Sequence, residues 1–286
     1  MLGAIRGEGG ADATPSLRAL VSNEGDRRIE KPWWHYQKEI DEIAEVEAKD
    51  AAYRKALDAL PDSAPLLGNF ANFLRAIRGR HDEAEALYER AIAADPKHAH
   101  SLNNFASFLT TIRGRHDEAE ALFQRAIDVD PKYAAILDNF ASFLTDISER
   151  HDEAEALYQR AIAADPKDAS ILGNYAEFLL VTGRRDEGLA IMTALETLAS
   201  NELALTVVSA FSRYAHDPEH RAESLAKLKR LIAENARSPG WNLSRNIAQA
   251  ERDGHPNGAL LKALDAVITR GEDVSTLEKF PEWRSA

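Results

Sequence analysis

Apolar residues recur along the middle of the chain with the spacing of an amphipathic helix. One stripe has intervals of four, three and four positions: Leu66, Phe70, Phe73 and Ile77. A second stripe with a similar rhythm lies beside it: Leu67, Ala71 and Leu74. Such intervals match the period of an α-helix and not that of a strand. Two apolar stripes on one helix predict that it packs against two neighbours, as helices do in a stacked array.

The same pattern returns every 35 residues, which indicates an internal repeat. The string HDEAEAL begins at His81, His116 and His151. The prolines keep the same step: Pro61, Pro96, Pro131 and Pro166. Each period predicts two helices. The first helices are predicted over residues 64–77, 99–112, 134–147 and 169–181, and the second over residues 82–94, 117–129, 152–164 and 186–198. The sequence therefore predicts a series of helical hairpins.

Turn and capping residues agree with these boundaries. Gly79 and Gly114 fall between the two helices of their hairpins. Acidic pairs such as Asp82-Glu83 stand in the first turn of each second helix, where the helix dipole and the free amides favour negative charge. Asp-Pro pairs such as Asp95-Pro96 end that helix, because proline restricts the residue before it and cannot continue the helix.

The segments that flank the repeats differ in composition. Residues 1–31 are rich in glycine, alanine and charge, which predicts disorder. Residues 32–61 are predicted to form N-terminal capping helices, either as a hairpin or as one long helix. Residues 62–199 form the repeat array. Residues 200–286 are a predicted C-terminal helical capping region, with helices over residues 203–215, 221–234, 242–250 and 257–269. All four tryptophans lie in the flanks, where large aromatic side chains can close the apolar ends of an array: Trp33, Trp34, Trp241 and Trp283.

Composition narrows the possible functions. The chain has no cysteine, so thiol chemistry and thiolate metal sites are excluded. Its net charge of -12 is concentrated between residues 61 and 200, which carry 23 acidic and 14 basic side chains. A phosphate backbone would be repelled there, so no nucleic acid is expected as a partner. No apolar run approaches the roughly 18 residues of a membrane span. With no secretory signal in the first 30 residues, we expect a cytoplasmic protein without membrane contact.

The repeat resembles the tetratricopeptide repeat. In the first period the matching apolar, small, aromatic and proline positions are Leu67, Phe70, Ala71, Leu74, Ala84, Tyr88, Ala91 and Pro96. The set recurs in the next two periods and, in part, in a fourth. The resemblance implies an all-α, right-handed α-solenoid of stacked hairpins with helical caps, of the bacterial type with 35-residue repeats.

Two departures from the family pattern change the expected structure. The family period is 34, and the extra residue falls within the turn sequences RAIRGRH, TTIRGRH and TDISERH, which should leave the stacking intact. The fourth repeat has the shorter turn VTGRRDEG, carries Gly188 in place of alanine, and lacks the closing proline. We therefore expect the regular array to end there.

The resemblance implies that the first helices line a concave groove in which a peptide or protein segment binds. The candidate binding residues on that face are Asn69, Asn72, Arg75, Asn103, Asn104, Ser107, Asp138, Asn139, Ser142, Asn174 and Glu177, with Thr110 and Thr145 beside them.

Four of these residues form an asparagine ladder, because they occupy one position in four successive repeats: Asn69, Asn104, Asn139 and Asn174. A carboxamide both donates and accepts hydrogen bonds, so such a ladder can pair with the main chain of an extended peptide. The alternative is that each asparagine bonds a neighbouring helix. The sequence leaves these two interpretations open.

The charge of the lining indicates the kind of peptide. Family members that grip a C-terminal carboxylate use lysine or arginine on the inner helix. The matching positions here are Gly68, Asn103, Asp138 and Gly173, without a lysine. We therefore expect an internal segment of basic or mixed charge.

Histidines and carboxylates raise the possibility of a metal site or of catalysis. His81 and Glu85 are four residues apart, a spacing that can chelate, and the pair recurs in the next two repeats. These pairs are one repeat apart, whereas a zinc site needs about four ligands at one point, so no metal and no cofactor are expected. His216 and His220 flank Pro218 and are predicted to be exposed loop residues. No nucleophile elbow, phosphate loop or metalloprotease motif is present, so no catalytic residues are assigned.

Three hypotheses for function follow. The favoured one is a non-enzymatic interaction scaffold whose groove holds a segment of another protein. The rival makes residues 201–286 an effector or catalytic region, with four loop residues as its candidates: Arg237, Ser238, Trp241 and His255. The third is self-association through an uncapped end of the array.

Overall fold

The computed structural model describes residues 31–77, 79–148, 150–198, 202–238 and 241–286. These residues form helices and connecting turns, without a strand among them. The segment predicted to be disordered lies outside the described residues except for Lys31. Within the described ranges no helix combines the length and the apolar composition that a bilayer crossing requires.

Eight helices build the repeat array as four hairpins. The first helices are α3 (Ala64–Arg75), α5 (Ala99–Phe108), α7 (Ala134–Phe143) and α9 (Ala169–Val181). The second helices are α4 (His81–Ala94), α6 (His116–Val129), α8 (His151–Ala164) and α10 (Arg185–Leu198). The second helices begin one residue before their predicted starts and end where predicted. The array is a right-handed α-solenoid, and this fold class is confirmed.

The extra residue of the 35-residue repeat lies in the helix as well as in the turn. In the second and third repeats the last turn of the first helix widens into a π-helical turn, at Leu109–Arg113 and Leu144–Ser148. A π turn closes its hydrogen bond one residue later than an α turn, so it takes up one additional residue. The chain then reverses at Gly114, whose φ of 66° is in the left-handed region that glycine adopts readily.

Aromatic stacks join each hairpin to the next. Tyr88 of α4 stacks on Phe105 of α5, with ring centroids 5.4 Å apart, and Phe123 of α6 stacks on Phe140 of α7 at the same distance. Small residues such as the buried Ala84 stand where two helices approach closely. One continuous apolar cluster therefore runs from the N-terminal helices to α9, as expected where no single hairpin can bury its own apolar faces.

A row of arginines links each hairpin to the preceding one along its outer edge. Arg115 follows the turn of the second repeat and pairs with Glu118 in its own helix and with Glu85 of the preceding repeat. The same arrangement recurs at Arg80, Arg150 and Arg184. Exposed pairs of this kind contribute roughly 0–1 kcal/mol each. Their regular repetition fixes the register of neighbouring hairpins more than it stabilises them.

The N-terminal cap is a hairpin, which decides between the two predicted forms. Its helices are α1 (Trp33–Asp41) and α2 (Val46–Ala59). α2 acts as the second helix of a repeat, because its Tyr53 stacks on Phe70 at 4.9 Å. The expectation that Trp33 and Trp34 close this end is wrong, since 36% and 56% of their surfaces are exposed.

The C-terminal region has its own apolar core. It comprises α11 (Leu203–His216), α12 (Arg221–Ala233), α13 (Ser244–Arg252), α14 (Gly258–Arg270), a 3-10 turn at Val274–Leu277, and α15 (Pro281–Ser285). Trp283 is 1% exposed and lies in this core, as a capping tryptophan should. The region packs on the last repeat, where α11 contacts α9 and α10, and α13 contacts α9.

Gly188 provides a test of how closely the last hairpin is packed. A Cβ on this residue would lie 2.8 Å from Cγ of Leu180 and 2.9 Å from the carbonyl oxygen of Ala176. We expect Gly188→Ala to lower the free energy of unfolding by about 1–3 kcal/mol, although it restores the family residue and improves helix propensity. Urea denaturation measures this change, and a gain in stability would contradict the close approach of α9 and α10.

Candidate peptide-binding groove

The first helices form the inner face of the array. Helices α3, α5, α7 and α9 contact one another in succession, and these contacts are more extensive than those between the second helices of adjacent repeats. The layer whose members are closer together is the inside of a curved stack. The polar positions predicted for the groove therefore lie on one concave face.

The asparagine ladder bonds mainly to the preceding repeat. Asn69 donates to Gln37 at 2.9 Å, and Asn139 donates to Asn103 at 3.1 Å. Asn174 donates to Asp138 at 2.8 Å. For Asn139 and Asn174 the acceptor stands 36 positions earlier, at the inner-helix position that precedes the ladder position in each repeat.

The exception at Asn104 follows from the same rule. The residue 36 positions before it is Gly68, which has no side chain to accept the bond. The carboxamide nitrogen of Asn104 is accordingly buried without a partner among the described residues, while its oxygen accepts a bond from Asn103. The contacts thus favour a structural role for Asn69, Asn139 and Asn174, and ligand binding by the ladder stays a prediction.

A second position of the groove is shared by Asn72, Ser107, Ser142 and Glu177, which follow one another at steps of 35. In the first and third repeats a tyrosine of the second helix bonds this residue: Tyr88 donates to Asn72, and the hydroxyls of Tyr158 and Ser142 lie 3.0 Å apart. In the second repeat the tyrosine is replaced by Phe123, and in the fourth by Met192. Ser107 and Glu177 therefore receive no hydroxyl from their own hairpins.

The remaining groove residues contribute little free hydrogen-bonding capacity. Thr110 and Thr145 donate to the carbonyl oxygens of Ala106 and Ala141, four residues earlier, at 3.0 Å and 2.9 Å. Arg75 is partly buried. Burial raises the pKa of Tyr88 to about 12, and the positive charge of Arg75 opposes this rise.

A cavity of about 400 Å³ lies at the C-terminal end of the groove. We call it the terminal pocket. Its lining comprises Thr111, Ser142, Thr145, Asp146, Tyr158, Ser170, Asn174, Glu177, Phe178, Val181, Trp241, Asn242 and Arg245. Three of the predicted groove residues thus share one cavity, together with a segment of the C-terminal region that the sequence places about 60 residues away.

That segment reaches the groove through two contacts. Trp241 packs against the inner face of α9, where its Cη2 lies 3.3 Å from the place that a Cβ on Gly173 would take. Arg245 donates to the carbonyl oxygens of Thr145 and Asp146, in the π turn of the third repeat. The Arg245 Nε lies 3.5 Å from the Asp146 carboxylate. Carbonyl groups at a helix C-terminus have no helical partner and carry partial negative charge, which explains their attraction for a guanidinium.

The carboxyl groups of the pocket are electrostatically unfavourable in their ionised form. Burial raises the pKa of Glu177 to about 8, and the Asp146 carboxylate adds to the rise while Arg245 opposes it. Desolvation in the pocket also raises the pKa of Asp146, again against the effect of Arg245, although 48% of the Asp146 side chain is exposed. Asp138, behind Asn174, has its pKa raised to about 7 by burial, although the bond from Asn174 acts in the opposite direction. Ionisation of these carboxyl groups at the end of the groove is therefore unfavourable unless a further positive charge compensates it.

The repeated histidines pack against aromatic rings. His81, His116 and His151 lie 6.4, 6.4 and 6.1 Å from the rings of Phe108, Phe143 and Phe178 in the following repeats. Within the described ranges no group of three or more histidine, cysteine, aspartate or glutamate side chains is placed to hold a metal ion.

The expectation that His216 is an exposed loop residue is wrong. It ends α11, is 3% exposed, and bonds Asn246 at 2.6 Å. His220 is exposed as predicted and bonds Asp217.

The four loop residues of the rival hypothesis do not line a common cavity among the described residues. Ser238 is buried and its amide donates to Ile268, whereas Arg237 donates to the carbonyl groups of Ile232 and Ala236. His255 is buried with its ring 5.0 Å from Tyr214. The cavity that contains Trp241 is lined by none of these three residues.

Several residues of the terminal pocket have no counterpart in the sequence prediction. Asp146, Tyr158 and Arg245 line it, and Trp241 was expected as a cap or as a loop residue of the rival effector region. One sequence signal points to the pocket, namely that Glu177 and Met192 both depart from the residues found at their positions in the other repeats.

Comparisons with known proteins agree with the repeat pattern. Residues 62–132 and residues 147–206 match family models described as tetratricopeptide repeat. No curated protein matches the sequence. Among solved structures with this fold is a thermophilic tetratricopeptide-repeat protein of Thermus thermophilus, with 20% identity, a TM-score of 0.55, and matching parts that cover 63% of this chain and 97% of that one.

Another is a tetratricopeptide repeat protein from Parabacteroides merdae, with 16% identity, a TM-score of 0.53, and coverage of 88% of this chain and 97% of that one. Fold and repeats together define an α-solenoid of stacked hairpins. Residues 62–132 and 147–206 of the chain are tetratricopeptide repeats. This fold suggests a scaffold for protein–protein interaction.

Proposed function

We propose that this protein binds an extended segment of another protein along its concave face and acts as a scaffold without catalytic activity of its own. The observation that carries the proposal is the terminal pocket, where groove residues of successive repeats meet in one polar and aromatic cavity. A groove that runs over several repeats and ends in such a cavity suits an extended chain whose side chains enter separate pockets.

The groove also has polar atoms that the fold leaves unused. Ser107 receives no tyrosine hydroxyl, and the carboxylate of Glu177 has no hydrogen bond or ion pair among the described residues. Both residues are only partly buried in the free protein, and a guest segment that covers them must supply partners, because burial of polar groups without partners is unfavourable.

The proposal is tested by photo-crosslinking. Peptides are first selected from a displayed random library, and their affinities are measured by calorimetry. The photoreactive residue p-benzoylphenylalanine then replaces Ser107 in the groove or, as the matched control, Gln124 on the exposed outer face of α6. We expect selected peptides to crosslink at position 107 at least tenfold more than at position 124. Equal crosslinking at both positions, or the failure of any peptide to bind, would overturn the proposal.

The asparagine ladder is tested with the same peptides. In the variant Asn104→Ala/Asn139→Ala, a ladder that touches the guest should lose roughly tenfold or more in affinity, whereas a ladder that only joins repeats should lower the melting temperature and leave the affinity unchanged.

A further inference from the structure

The carboxylate of Glu177 receives no tyrosine hydroxyl bond from the second helix of its own hairpin. The tyrosine that bonds the corresponding residue in the first and third repeats is replaced by Met192, which is 1% exposed and cannot donate a hydrogen bond. Glu177 is partly buried and faces the terminal pocket. Its nearest charged neighbours there are Asp146, which repels it, and Arg245, which bonds the π turn.

The walls of the pocket suit a flat or compact cation. Trp241, Tyr158 and Phe178 contribute aromatic surface, and an indole face attracts guanidinium and ammonium groups. Asp146 and Glu177 supply two carboxylates against the one internal cation, Arg245. When both carboxyl groups are ionised, one further positive charge would balance the pocket.

Arg245 shows that a guanidinium group fits at the terminal pocket. Arg245 holds its position through the carbonyl groups of Thr145 and Asp146. The second repeat has the same π turn, and Thr111, which corresponds to Asp146, lines the terminal pocket from that side. The pocket therefore opens toward the part of the groove where a guest segment would run.

We propose that the terminal pocket binds the side chain of an arginine or lysine in the guest segment, with Glu177 and Asp146 as its counter-ions and the Trp241 indole as its flat wall. This inference rests on the proposed function and assigns the class of guest residue that the groove selects. The raised pKa of Glu177 supports it, because a bound cation would compensate the charge that burial disfavours.

The test uses a small probe and does not depend on the identity of the partner. N-acetyl-L-arginine amide is titrated into the protein at pH 8.5, with the indole N–H signal of Trp241 followed by NMR and assigned from Trp241→Phe. The neutral isostere N-acetyl-L-citrulline amide is the matched ligand. We expect a saturable shift with the arginine compound and at least tenfold weaker binding of the citrulline compound. Equal affinities would overturn the proposal.

Substitutions test whether Glu177 is the carboxylate that binds the arginine probe. Glu177→Gln should weaken binding of the arginine probe at least fivefold, whereas Glu89→Gln, the same change at an exposed position of α4, should leave it within twofold. The affinity of the unsubstituted protein should rise about tenfold between pH 6.5 and 8.5, as Glu177 becomes ionised beside Asp146, Arg245 and Tyr158. A Glu177→Gln variant that binds the probe as tightly as the unsubstituted protein would refute the assignment.

Failure of this inference can be separated from failure of the proposed function. If peptides crosslink at position 107 but bind equally well when their arginine and lysine residues are replaced by citrulline and norleucine, the groove binds peptides and the cationic pocket is wrong. If the arginine probe binds but no peptide crosslinks in the groove, the pocket is right and the peptide-binding function is wrong.

Discussion

Replacement of Trp283 by alanine should lower the free energy of unfolding of the C-terminal region by about 3–5 kcal/mol, the usual effect of truncating a buried large aromatic residue. Trp283 is 1% exposed within the C-terminal core. Lys229 of α12 also holds Trp283 in place. The Lys229 Nζ lies 5.7 Å from the indole ring of Trp283 and donates to the Trp283 carbonyl oxygen at 2.9 Å. Chemical denaturation followed by circular dichroism measures the loss.

The matched control is Trp34→Ala, the same change at a side chain with 56% of its surface exposed. It should alter stability by less than about 0.5 kcal/mol. Because the C-terminal core is separate from the cluster that runs through the repeats, amide exchange in Trp283→Ala should accelerate in α12 and α14 while α5 to α8 stay protected. Uniform acceleration along the whole chain would show instead that the two cores unfold as one unit.

The repeat period makes most of the fold predictable from the sequence. In each hairpin the apolar positions must bury two faces, and a residue such as Ala71 or Tyr88 serves the same contact wherever it recurs. The π turn at Leu109–Arg113 could not be predicted in this way. An additional residue lengthens the connection equally whether it enters the turn or the helix, so the sequence alone does not separate the two.

The sequence predicted which face of the array forms the groove, but it did not predict which residues contact one another there. The inner-helix positions follow from the repeat, but the partner of Asn139 is Asn103, and that pairing depends on how far one hairpin is rotated against the next. Trp241 and Arg245 belong to no repeat, so nothing periodic in the sequence relates them to the groove. Their positions follow from the packing of α13 on α9, a contact that only the tertiary structure supplies.

The two ends of the groove consequently differ in chemistry. Near the N-terminus, polar amides pair with one another, as Asn69 does with Gln37. At the C-terminal end the inner helices carry Asp138 and Glu177, and burial disfavours the charged form of both. The duplicated repeats have therefore diverged most in charge where the C-terminal region closes over them.

Substitution of Asp138 by asparagine should stabilise the protein at pH 8 by about 2–4 kcal/mol and leave its stability at pH 4 almost unchanged. The pKa of Asp138 is raised from 3.8 to about 7 in the folded protein, chiefly by burial. The unfolded chain therefore releases this proton first as the pH rises, and the contribution of Asp138 to stability, complete below pH 3.8, is lost progressively up to about pH 7. Asparagine does not ionise, so the variant escapes this loss.

The structure already contains the environment that the new side chain would need. Asn103 occupies the corresponding position of the second repeat, where it accepts from Asn139 and donates to Asn104. An asparagine at position 138 could accept from Asn174 and donate to Asn139 in the same way. Oδ1 of Asp138, which has no partner in the described part of the chain, would then be replaced by a donor with an acceptor nearby.

Thermal and urea denaturation at pH 4, 6 and 8 measure the difference, with Asp58→Asn on the exposed surface of α2 as the control for a general change in net charge. The control should shift stability by less than about 0.5 kcal/mol at every pH. A variant Asp138→Asn that is less stable than the unsubstituted protein at pH 8 would mean that the ionised carboxylate is compensated in the folded state.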